Sequence, residues 1–165
     1  MKKYFYYLLL LLPLAMVAVS CDDDDDEMPN VGIQCDISGG VFYENAIYVE
    51  QGTSLKIDAL KLINHTDKDG ALGAVSYYWD HYMIGTSVAQ PYELVIDTAD
   101  LPVGDHLLQA RKPIYVVDYP MCWGYIEYKV VILAQGSELP GDGTPSTHTV
   151  TGIVKAKNDP FSGYY

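Results

Sequence analysis

The residues with most to offer chemically are aromatic. Tyr115, Tyr119, Met121 and Trp123 fall within residues 112–124, a stretch longer than the usual hairpin connection of about two to five residues. Long loops on a rigid scaffold are where binding residues gather. Flat aromatic faces suit sugar rings, and Tyr and Trp anchor protein interfaces. The plainer alternative is that residues 114–117 prolong a strand while Trp123 packs over a sheet end.

Titratable groups offer less. None of His65, His81, His106 and His148 pairs with another His, Cys or acid at metal-ligand spacing on one strand face, and His106 reads as a satisfied core histidine. Asp67, Asp69 and Gly70 fit a fragment of a calcium loop, but His65 and Ser76 stand where ligands are needed, so a solvated turn is expected. There is no Gly-x-Ser-x-Gly elbow and no His-Glu-x-x-His. Asp97 and Asp100 flank a turn. No catalytic residue, metal or cofactor emerges, and the chain does not read as an enzyme.

The N-terminus carries the clearest pattern. Lys2 and Lys3 precede an apolar run, residues 8–19, broken once by Pro13. Such a run is shorter than the roughly 20 residues needed to span a bilayer and suits a secretory signal peptide over residues 1–20. Ala18, Val19 and Ser20 then lead directly into Cys21. This resembles the lipobox of bacterial lipoproteins, with Ala18 where that family usually has Leu. The resemblance implies that Cys21 is acylated and becomes the new N-terminus. The same small residues also satisfy ordinary signal-peptidase cleavage.

Asp22, Asp23, Asp24, Asp25, Asp26 and Glu27 follow. Adjacent carboxylates repel and stay solvated, which makes residues 21–32 a disordered tether. The run is similar to the export signal of surface lipoproteins in Bacteroidetes-type bacteria. That likeness implies an outer-membrane protein facing the cell exterior, held by a lipid anchor; the alternative is a lipoprotein facing the periplasm. With Cys21 acylated, Cys35 and Cys122 remain, and an exported chain permits one disulfide between them or two free thiols. The net charge of −12 disfavours nucleic acid, whose phosphates need a basic face.

The elements that must position the aromatic stretch read as strands. Residues 33–37 form a first edge strand ended by Ser38, Gly39 and Gly40. Short strands follow at 41–43 and 46–49. Residues 53–63 alternate as a half-buried strand, although Leu55, Ala59, Leu62 and Ile63 also fall at helical spacing; its strand neighbours favour a strand, with a phase change near Ala59 and Leu60 that fits a bulge. Residues 75–83 make the strongest strand, with Val75, Tyr77 and Trp79 inward, and Ile84, Gly85 and Thr86 then turn. Strands at 91–98 and 106–111 follow, separated by a corner, and a last one runs over 125–133.

About seven short strands with turn signals at this spacing predict an all-β sandwich over residues 33–134. Tyr78-Trp79-Asp80, the strand from Pro91 to Asp97, the corner from Leu101 to His106 and the final Val-rich strand resemble a bacterial immunoglobulin-like domain. The paired strand cysteines of antibody domains are missing, so no inter-sheet disulfide is implied. Residues 135–165 read as a linker and a free or loosely docked tail. Asp97-Thr98-Ala99 is similar to the motif at which Bacteroidetes-type bacteria O-glycosylate exported proteins, which implies a sugar on Thr98. The whole predicts a surface lipoprotein whose sandwich binds or adheres to a glycan or a surface protein. The alternative is a structural or assembly subunit of an envelope complex with no small ligand.

Overall fold

A computed structural model of the protein describes residues 27–157. The leader, Cys21 and the run Asp22, Asp23, Asp24, Asp25 and Asp26 lie outside the described residues; Glu27 is the first described and is exposed.

The described chain is strand and turn, in chain order β1 (Val31–Tyr43), β2 (Ala46–Glu50), β3 (Ser54–Asn64), β4 (Gly70–Leu72), β5 (Val75–Trp79), β6 (Tyr82–Ser87), β7 (Leu94–Asp97), β8 (Gly104–Val116), β9 (Cys122–Leu133), β10 (Ser146–Thr151) and β11 (Ile153–Lys155). One sheet orders as β10-β1-β3-β7. The other orders as β6-β5-β8-β9-β2, with β4 added to β8 and β11 added to β9. The inward side chains of both sheets make one core, with Ile37, Leu55 and Ile57 facing Tyr77, Leu108 and Ile126. Strands β3 and β7 on one side, β5, β8 and β9 on the other, and a parallel β2–β9 pair define an immunoglobulin-like β-sandwich.

Strand β1 belongs to both sheets. Its first part pairs with β3 and β10, and its last three residues pair with β2. The change of sheet falls at Gly39, whose φ of +91° is open to glycine at no steric cost and whose missing Cβ leaves room for the Ser54 carbonyl. The phase change expected in β3 is there. Asp36 faces Ala59 and Ile37 faces Ile57, so Asp58 is the extra residue of a bulge, and Leu55, Ile57 and Leu60 all point inward.

Three expectations need correction. Residues 33–37 are not an edge strand, because β3 flanks them on one side and β10 on the other. The strand expected over 75–83 ends at Trp79. Asp80 and His81 take φ of 49° and 71°, the left-handed pair of a tight hairpin turn, so Ile84, Gly85 and Thr86 lie within β6. The segment 135–165 is not a free tail over its described part. Val150 sits in the core beside β1, Gly152 N–H donates to the Ile33 carbonyl at 2.9 Å, and β11 pairs with β9. The sandwich therefore runs from Val31 to Lys155, and its eleven strands exceed the seven expected. The tail was opaque because its Thr-rich strand has a single buried side chain, Val150.

Candidate functional site

The stretch 112–124 is a ladder rather than a long loop. Strands β8 and β9 pair without interruption from Gly104 opposite Ile132 to Ile114 opposite Cys122. Only residues 117–121 turn, helped by Asp118 at a φ of 69°. Alternation then decides what each side chain does. Ile114, Val116 and Cys122 point inward and make a small second cluster, onto which Tyr119 packs. Tyr115, Val117 and Met121 stay 50%, 54% and 43% exposed. Trp123 is half-buried on the outer face. Of the four aromatic-stretch residues singled out by sequence, Tyr115, Met121 and Trp123 thus form one strip, and Tyr119 does not join it.

Trp123 is set in the middle of three strands, opposite Pro113 on β8 and Lys155 on β11. The guanidinium of Arg111, one pleat along β8, lies 5.8 Å from the Trp123 ring centroid and 5.5 Å from that of Tyr78. Its Nη2 donates to the Tyr78 hydroxyl at 2.8 Å. Arg111 is opposite Tyr125, over whose ring the Lys155 ammonium stands at 5.5 Å. The next register position holds Gln109 between Tyr78 and Glu127. Gln109 is wholly buried, and its amide donates to Glu127 at 2.8 Å. Arg111, Gln109 and Glu127 were missed by sequence reading. Extending the alternation of residues 106–111 as far as 115 places Arg111, Pro113 and Tyr115 on the face of Trp123.

Cys35 and Cys122 are free thiols, not a disulfide. Cys35 lies in the main core between Leu60 and Val150, whereas Cys122 is in the separate cluster with Ile114 and Val116. Burial pushes the Cys35 thiol up to about 12, with the Asp36 carboxylate adding to the shift, and burial also raises Cys122. Neither is poised as a nucleophile.

Thr98 is wholly buried, which overturns the expected sugar attachment. Its hydroxyl donates to the Thr53 carbonyl at 2.6 Å and accepts from Gly52 N–H at 3.1 Å, tying the end of β7 to the β2–β3 turn. A glycan needs that oxygen in solvent. The three-residue motif carried no information about burial.

His106 is a structural histidine. Its Nδ1 meets the Asp80 carboxylate at 2.6 Å and its Nε2 meets the Pro102 carbonyl at 2.8 Å. Two acceptors on one ring call for the doubly protonated imidazolium. Burial alone pulls its pKa down, but the Asp80 carboxylate and Pro102 carbonyl outweigh that and hold it above the ordinary value. His148 stacks on Phe42 at 4.3 Å. Among the described residues no three His, Cys, Asp or Glu side chains are grouped to hold a metal ion. A groove of about 450 Å³ lies between β3 and β4, walled by Leu60, Leu62, Gly70, Leu72 and Pro91.

No protein-family profile and no curated relative matches the chain. Among solved structures it is similar to the fibronectin(III)-like modules of CbhA from Clostridium thermocellum, at 18% identity over 59% of this chain and 98% of that one, with a TM-score of 0.38. The immunoglobulin-like assignment stands on the strand order and pairing described above.

Proposed function

We propose that the protein is a surface lipoprotein whose sandwich is a non-catalytic binding module, holding a glycan or another surface protein along Tyr115, Met121 and Trp123 with Arg111 at the base of the strip. One observation supports this reading most directly. Tyr115, Val117 and Met121 stand exposed beside a half-buried Trp123, at the end of the β8–β9 ladder and in its turn. Arg111 adds a donor beside the rings, so a ligand meets flat apolar area and a polar contact together. The anchor and the outward address rest on Cys21 and on the acidic run that follows it.

The test is a glycan array probed with the full chain, beside Trp123→Ala and Tyr115→Ala. Retention on one glycan class, lost by roughly tenfold or more in Trp123→Ala, supports the module and its site, since stacking on one aromatic contributes about 1–3 kcal/mol. Retention that survives both changes removes the site. No retention at all removes the glycan half of the reading; cross-linking on intact cells then tests for a surface-protein partner at Tyr115.

A further inference from the structure

Strand β6 is the outermost strand of its sheet, and among the described residues it pairs with β5 alone. Its far side therefore presents a row of main-chain N–H and C=O groups, the feature through which sheets join edge to edge. Three of its side chains are large, apolar and exposed in succession: Tyr82 at 79%, Met83 at 63% and Ile84 at 42%, followed by Val88 at 80% just past its end. Protected edges carry charges, prolines, bulges or very short strands, and of these β6 has the single bulge at Ile84. The far edge of the other sheet is managed that way, since β7 has four residues bracketed by Glu93 and Asp97. Residues 82–92, in contrast, hold no Asp, Glu, Lys, Arg or His, the longest such run among the described residues.

The occupant follows from charge. The chain has a net charge of −12, so a basic partner is the one its surface attracts, and such a partner is gripped through carboxylates. β6 offers none. A second copy is repelled by most of the surface and can approach only where like charges do not face each other. Two-fold pairing sets the same strand against itself, and a neutral strand is complementary to itself under that operation. We propose that β6 is a homotypic interface: two copies join their sheets by antiparallel β6–β6 pairing, flanked by Tyr82, Met83 and Ile84 of each. Ile84 is the extra residue opposite Tyr77 and Tyr78, so the bulge twists the edge there and sets where the pairing can be centred. The short strand makes this a reversible contact, below the size of an obligate dimer.

The test uses the full chain in membranes. A cysteine is introduced singly at each of residues 82–87 and oxidised with copper phenanthroline. Dimer is read on a non-reducing gel against the unsubstituted chain, which supplies the background from the thiols Cys35 and Cys122. A two-fold strand pair places one position directly opposite itself, so dimer should peak sharply at one or two neighbouring positions and fall to background on either side. A flat profile, or cross-linking only to a different protein, overturns the proposal. The second variant is Met83→Lys with Thr86→Lys, combined with the best cysteine. It should lower the dimer yield at least tenfold with an unchanged circular dichroism spectrum; an undiminished yield overturns the proposal as well. Sedimentation of the detergent-solubilised chain should show the mass rising towards double with concentration, and a constant monomer mass rejects it.

Discussion

Replacing Lys112 by Met should make the protein more stable. Lys112 points inward from β8 and is wholly buried. Its Nζ has no hydrogen-bond partner and rests 3.8 Å from the ring centroid of Tyr92. Burial pulls its pKa from 10.5 down to about 7, with the Cys35 thiol opposing the shift weakly. The sign is that of a depressed base. Between about 7 and 10.5 the unfolded chain binds a proton that the folded chain rejects, so stability rises with pH across that window and is lost as pH falls towards 7. A depression of this size corresponds to roughly 4–5 kcal/mol over the whole window at 1.36 kcal/mol per unit. The portion between pH 7 and 9 is about 2 kcal/mol.

Methionine matches the unbranched stem and needs no proton, so Lys112→Met should gain up to about 4 kcal/mol at pH 7, the upper end of the 1–4 kcal/mol seen when buried charged groups give way to apolar ones. The assay is urea unfolding at pH 7, 8 and 9, followed through the fluorescence of Trp79 and Trp123. The unsubstituted protein should gain stability over this range, and the variant should gain about 2 kcal/mol less. Equal pH slopes in both proteins, or a variant less stable than its parent at pH 7, would refute the reasoning. Either result would mean that the amine has a partner in solution.

His106 should give the opposite pH dependence. Its pKa is raised by Asp80 and Pro102 despite burial, so its contribution is fully present below the unfolded value and is lost as pH rises through the folded one. His106→Gln should flatten that loss in thermal melts taken between pH 5 and 8, and a profile unchanged by the substitution would sink the imidazolium assignment. Thr98→Val should cost about 1 kcal/mol in urea unfolding, since it removes the hydroxyl's bonds to the Thr53 carbonyl and the Gly52 N–H while the Thr98 N–H still donates to that carbonyl at 3.2 Å; intact mass should show no sugar at Thr98. Gly152→Ala should cost roughly 1–3 kcal/mol by overpacking. A Cβ there meets the Tyr125 carbonyl and comes within 2.6 Å of the Ile126 Cδ1. Limited proteolysis should then cut the variant ahead of β10 before it cuts the parent.

Much of this architecture was legible because the inward positions alternate cleanly. Val75, Tyr77 and Trp79 on β5 and Ile126, Val130 and Ile132 on β9 are all buried as the period of two requires. Even the bulge in β3 showed as a slipped phase at Ala59 and Leu60. The turn at Asp80 and His81 was missed because neither residue is a glycine, so a left-handed pair left no mark in the composition. Strands β10 and β11 were missed for a different reason. They are held by long-range pairing to β1 and β9, which local propensity cannot see. The site fell between these cases. Tyr115, Tyr119, Met121 and Trp123 were singled out as one stretch, but its setting on a ladder depended on knowing that β8 continues past Pro113, a residue usually read as a strand breaker. The Cys35–Cys122 bridge failed because sequence separation gives no distance.

The placement of β1 has a mechanical consequence. Its first part is gripped on both sides, by β3 over eight register positions and by β10 over five. A pull on Val31 along the strand loads those main-chain bonds together, in shear, instead of opening them one after another as a zipper. The point where the chain enters the domain therefore resists an axial pull better than a strand held on one side. An edge strand such as β6, peeled from β5 alone, gives way far sooner.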